Sequence, residues 1–146
     1  MIHQDPHSAD ATKSISRILI VDDDPSIVRL LRIFLEDEGY DNVDGVTAPL
    51  QAMEALRNSR YDLLIIDLNM PEMNGDAVIR ALQDEPDTFL PPVIMLTGRG
   101  EDEYRRRAES LGIREYIVKP FELDDMLDTV CRCLHPSATI QRNTPN

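Results

Sequence analysis

The chain has 146 residues, 42% of them apolar and 29% charged, with 27 acidic against 15 basic side chains and a formal net charge of -12. That length and balance suit one soluble globular domain with a single core, and the acidic excess opposes binding to nucleic acid or to an anionic membrane through long-range repulsion. No apolar run reaches the roughly 18 residues of a membrane span, and "MIHQDPHSADATKS" lacks the basic-then-apolar plan of a secretory leader, so membrane insertion is not expected and the location is read as cytoplasmic.

Short apolar runs alternate with amphipathic stretches, the pattern of β-α units on a parallel sheet. The first run, "RILIV" at 17–21, is followed by Asp24, which suits an N-cap, and Pro25, which suits a first helical position. Ile27, Leu30, Leu31, Phe34 and Leu35 then fall on one face, and Gly39 ends the helix. A weaker strand, "NVDGV" at 42–46, precedes a helix that begins near Pro49 with Leu50, Met53 and Leu56 inward. "DLLIID" at 62–67 leads to a helix after Gly75 with Val78, Ile79 and Leu82 inward, and Asp84 to Pro92 form a loop.

"VIML" at 93–96 leads to a fourth helix, "EDEYRRRAESLG", whose inward stripe is only Tyr104, Ala108 and Leu111. Its anchoring is thin. Glu101, Asp102 and Glu103 each stand four residues before an arginine (Arg105, Arg106, Arg107), which predicts a solvated, ion-paired face with pairs worth only a few tenths of a kcal/mol each. "EYIV" at 115–118 leads to a last helix with Leu123, Met126, Leu127, Val130 and Leu134 at helical spacing, stopping before Pro136. All strands but the second read as buried on both faces.

Residues 1–14 and 136–146 are polar, aperiodic and expected to be flexible tails around a domain at 15–135. His3 and His7 lack the further ligands of a metal site. Cys131 and Cys133, two apart in a helical pattern, point in different directions and read as free, packed thiols.

The chemistry concentrates at the strand ends. The first strand ends at Asp22 and Asp23, the third at Asp67, the fourth at Thr97, and the fifth at Lys119, one of only two lysines (with Lys13) against 13 arginines. Ligands of an open parallel sheet collect at the carboxyl ends of strands, where the winding direction changes. With the first and third strands adjacent there, three carboxylates converge and repel, so at least one pKa is expected to rise. A divalent cation removes that conflict, and oxygen-only ligands with open positions suit magnesium.

The segments "ILIVDDDPS", "YDLLIIDLNMPEMNG", "VIMLTG" and "YIVKPF" resemble, in that order, the motifs of the response regulator receiver domain of two-component signalling, and the resemblance covers about residues 15–135. It implies a flavodoxin-like (βα)5 fold: a doubly wound parallel sheet, strand order 2-1-3-4-5, between two helical layers. It implies that Asp67 is the phosphoacceptor, served by a sensor histidine kinase or histidine phosphotransfer protein. Asp22, Asp23, Asp67 and the backbone carbonyl of Asn69 would hold Mg2+, and Thr97 and Lys119 would contact the phosphoryl group. Thr97 and Tyr116 would be the switch residues, a cis bond would precede Pro120, and a downstream protein would bind the face formed by the fourth helix, fifth strand and fifth helix.

Such a module is not an enzyme in the ordinary sense, since it catalyses only the gain and loss of its own phosphoryl group. Two positions depart from the family pattern: Pro25 replaces the usual small or hydroxyl residue, and Arg99 sits two residues beyond Thr97. A haloacid dehalogenase type of enzyme would want a second carboxylate at 69, where Asn69 stands, and room for a cap domain. A binding module that never accepts phosphate would normally lack part of this set. The chain reads as a stand-alone, chemotaxis-regulator-like receiver; the alternative is a receiver fragment of a larger response regulator or hybrid kinase.

Overall fold

Runs of Ile, Leu and Val, stiff at the β-carbon or readily packed on a pleated surface, become the central strands, and the amphipathic stretches between them become helices. The computed structural model describes residues 13–98 and 102–135. Its strands are β1 (Arg17–Val21), β2 (Asn42–Val46), β3 (Leu63–Asp67), β4 (Val93–Thr97) and β5 (Glu115–Val118); its helices are α1 (Pro25–Asp37), α2 (Pro49–Asn58), α3 (Gly75–Gln83), α4 (Asp102–Glu109) and α5 (Leu123–Leu134). All strand pairs are parallel, in the order β2-β1-β3-β4-β5. β1 therefore lies beside both β2 and β3, and the winding reverses at the β1–β3 seam, where Ile18 faces Leu63 and Val21 faces Ile66 in register.

Alternation along the strands divides the core in two. Ile18, Ile20, Leu63, Ile65, Ile94, Leu96 and Ile117 pack with Leu31 and Leu35 of α1 and Met126 and Val130 of α5. Leu19, Val21, Leu64, Ile66 and Met95 point the other way, onto α2, α3 and Ala108 of α4. The product is the expected three-layer arrangement. Near Gly39, which takes a positive φ of 105° beyond the end of α1, Lys13 donates to the Glu38 carbonyl (3.1 Å) and Asn42 donates to the Ser14 carbonyl (2.7 Å). No described helix is long and apolar enough to cross a membrane.

The structure corrects three expectations about burial. Leu30 is 45% exposed and Leu50 71% exposed. α1 instead turns Ile27, Val28, Leu31, Phe34 and Leu35 inward, and α2 turns Ala52, Met53 and Leu56 inward. With about 100° between successive residues, an apolar arc wider than the sheet it covers leaves its margin in solvent. The third correction is β5. As a sheet edge it has only Ile117 buried, with Glu115 and Tyr116 half-buried and Val118 exposed.

Among the described residues α4 carries two ion pairs outside the expected set: Arg105 Nε lies 4.0 Å from Glu109, and Arg107 Nε lies 3.5 Å from Asp76 on α3. Arg99, Glu101, the Tyr104 side chain, His3, His7 and most of both expected tails lie outside the described residues. Cys131 and Cys133 are free thiols, both half-buried.

Candidate functional site

The sequence "DDD" at 22–24 resolves into three separate tasks. Asp22 is fully buried; its Oδ1 accepts from the Asp24 N–H (2.9 Å) and its Oδ2 lies 2.8 Å from Lys119 Nζ. Asp23 is exposed at the mouth. Asp24 caps α1, accepting from the Ser26 N–H at 2.9 Å, with Pro25 opening the helix. The turn is held against the sheet by the Asp22 N–H bonded to the Val46 carbonyl (3.3 Å).

Asp67 ends β3 one strand away and is 5% exposed. One carboxylate oxygen from each of Asp22, Asp23 and Asp67 can be chosen so that all lie within 4.8 Å of one another. Lys119 bridges two of these acids, with Nζ 3.5 Å from Asp67 Oδ1 as well as near Asp22. Burial, then the negative charge of Asp22, push the Asp67 carboxyl up to about 7; Lys119 opposes the rise, Asp23 adds to it, and the Asn69 N–H bond opposes it. Burial works against the charge of Lys119, but the two carboxylates outweigh it and hold its pKa above the ordinary value.

The loop after Asp67 folds back onto the strand that carries it. Leu68 donates to the Leu96 carbonyl (2.8 Å), and the Gly75 N–H returns to the Leu68 carbonyl (2.8 Å). A β-carbon on Gly75 would lie 2.5 Å from the Asp67 carbonyl oxygen and 3.2 Å from Met95 Sδ, so only glycine lets α3 start this close to the site. Across the mouth, Thr97 is the buried last residue of β4, and its carbonyl accepts from the Lys119 N–H (2.7 Å). The Lys119–Pro120 bond is cis, as expected.

Asp22, Asp23, Asp67 and Lys119 are thus brought together, with Asn69 bonded to Asp67 through its N–H and Thr97 on the adjoining strand end. Tyr116 stands apart. It is half-buried, its hydroxyl donates to the Ile113 carbonyl (2.7 Å), and the Arg105 guanidinium lies over its ring at 4.6 Å. Sequence reasoning passed over Gly75 as a site residue and missed Asp76, which is 3% exposed in the first turn of α3. The signal for Gly75 was present in its fixed place within "DLNMPEMNG"; an acid after a helix start carries no such mark.

The oxygen-only donor set fits a hard divalent cation that retains open positions. Comparison with known proteins agrees with the geometry. Residues 18–131 match the family model described as "Response regulator receiver domain". The chain is 36% identical over 116 residues to the phosphate regulon transcriptional regulatory protein PhoB of Rhizobium meliloti, covering 80% of this chain and 51% of that one. It is 40% identical over 106 residues to the transcriptional regulatory protein ResD of Bacillus subtilis, covering 73% and 42%. It spans about half the length of these curated relatives.

Among solved structures, a CheY-like receiver domain protein from Methanospirillum hungatei superposes with a TM-score of 0.76 at 29% identity, covering 86% of this chain and 98% of that one. The chemotaxis response regulator CheY4 of Vibrio cholerae superposes with a TM-score of 0.73 at 30% identity, covering 81% and 98%.

Proposed function

The chain belongs to the response regulator receiver domain family, and from that premise we propose that Asp67 takes a phosphoryl group from the phosphohistidine of a sensor kinase or phosphotransfer protein. The observation that carries this reading is the convergence of three carboxylates, two of them buried and bridged by the half-buried Lys119, an arrangement that is costly without a charged ligand. An Asp67 oxygen bonds to phosphorus as the donor's phosphorus–nitrogen bond breaks, leaving an acyl phosphate. In such transfers charge spreads over the equatorial phosphoryl oxygens, so the protein's part is to position groups and supply positive charge. Lys119 supplies one charge. Asp22, Asp23, Asp67 and the Asn69 carbonyl would hold Mg2+, which when bound relieves the repulsion among the acids and neutralises phosphoryl oxygens.

The new phosphoryl group brings about -1.5 to -2 charges to the end of β3. In this reading the Thr97 hydroxyl moves toward it and donates a hydrogen bond. The space vacated behind β4 admits the Tyr116 ring, and the face made by α4, β5 and α5 changes for a downstream protein. The acidic net charge supports a protein partner over nucleic acid for this chain.

The test is incubation with acetyl phosphate and magnesium, read by mass spectrometry: one base-labile phosphate is expected, absent in Asp67→Asn and in excess EDTA. Labelling that persists in Asp67→Asn would remove Asp67 from the role. A second reading, the receiver part of a longer regulator, is favoured by the half-length coverage of PhoB and ResD.

A further inference from the structure

We infer that Arg105 and Arg107 of α4 are two clasps that hold this helix in the position it has in this structure, Arg107 on the buried Asp76 of α3 and Arg105 on the ring of Tyr116. The inference deepens the switching role proposed above and rests on it. Such clasps matter for α4 because its apolar hold among the described residues is small. Ala108 is fully buried and Leu111 packs partly against the core, while the Arg105 and Arg107 side chains are 44% and 47% exposed.

Asp76 makes the first clasp directional. Its side chain is only 4% exposed, its Oδ2 lies 3.5 Å from Arg107 Nε, and its Oδ1 is buried with no hydrogen-bond donor among the described residues. A carboxylate so placed depends on its cation, because stripping the partner from a buried charge costs more than the pair contributes when intact. Any displacement of α4 that draws Arg107 away leaves that charge uncompensated. The clasp also sits on the site itself: Asp76 directly follows Gly75, which is bonded to Leu68 and packed on the Asp67 backbone. The second clasp works on the same motion. A Tyr116 ring that turns inward gives up both the Arg105 guanidinium at 4.6 Å and the hydroxyl bond to Ile113. A ligand shifts a two-state equilibrium only by its differential affinity, so releasing either clasp lowers the work asked of the phosphoryl group.

The experiment uses the full chain carrying Asp76→Asn, Arg107→Gln, Arg107→Lys or Arg105→Gln, with Arg106→Gln, on the exposed position between the clasps, as control. Hydrogen exchange of α4 and β5 amides is measured without metal or phosphoryl group, and beryllofluoride with magnesium is titrated by NMR as a phosphoryl mimic. Asp76→Asn, Arg107→Gln and Arg105→Gln should exchange several-fold faster in α4 and bind beryllofluoride about five-fold tighter or more. Arg107→Lys, which keeps the charge, should return most of the way to wild type, and Arg106→Gln should change neither readout.

Unchanged exchange and affinity in Asp76→Asn would overturn the inference. So would faster exchange with weaker beryllofluoride binding, the mark of mere structural damage. Asp76→Asn removes the buried charge itself, so it decides the matter even if Arg107→Gln fails to fold. Should the wild type bind no beryllofluoride, the proposed function falls, and the exchange comparison alone decides whether the clasps hold α4.

Discussion

Replacing Asp67 with asparagine should make the metal-free protein more stable, by an amount that depends on pH in a defined way. The folded Asp67 carboxyl sits at about 7 against an ordinary value of 3.8, burial and Asp22 being the main causes. A folded-state pKa above the unfolded one means that the folded chain binds the extra proton between those two values. The contribution of Asp67 to stability is therefore most favourable at low pH, falls as pH rises through the window from about 4 to 7, and levels off above it. At ~1.36 kcal/mol per pH unit the full span is worth about 4 kcal/mol. Asp22 and Lys119 share that interaction, so about 2 kcal/mol is the expected gain for Asp67→Asn at pH 8.

The assay is urea denaturation of both proteins in EDTA at pH 5, 6.5 and 8. The gain should grow across that series, and added magnesium should stabilise the wild type more than the variant. A gain independent of pH, or a loss at pH 8, would refute the claim that crowded carboxylates set the energy of this site.

Lys119→Arg keeps the charge but replaces a compact ammonium with a planar fork, so it should slow labelling by acetyl phosphate and blunt the beryllofluoride response; wild-type behaviour in both would count against a positional role for Lys119. Gly75→Ala places a methyl 2.5 Å from the Asp67 carbonyl oxygen and should cost about 1–3 kcal/mol in urea denaturation while slowing labelling. Asp24→Ala removes the α1 cap and should cost ~1 kcal/mol, whereas the labelling rate of the folded protein should change little, because Asp24 serves the helix and Asp22 serves the site.

Much of the candidate site was legible in the sequence because its members stand at strand ends, and a strand end is marked by where an apolar run stops. Asp22 after "RILIV", Asp67 closing "DLLIID", Thr97 after "VIML" and Lys119 after "EYIV" are consequences of that local rule. The helix start at Asp24 and Pro25 and the stop at Gly39 are equally local. What periodicity could not settle was the width of each inward face. Leu30 and Leu50 belong to apolar arcs by spacing, yet their exposure depends on how far the neighbouring layer extends. β5 looked like an interior strand, and only its place at the edge of the sheet left Val118 in water.

The sequence by itself determined the alternation of strands and helices and the set of residues delivered to one rim of the sheet, since both follow from period, caps and chain order. The tertiary structure alone decided that Lys119 reaches both Asp22 and Asp67 and that Arg107 crosses to Asp76. Those are contacts between residues far apart in the chain. Coulomb energy and steric exclusion act over a few ångströms of space, and a one-dimensional pattern holds no record of which distant side chains will share it.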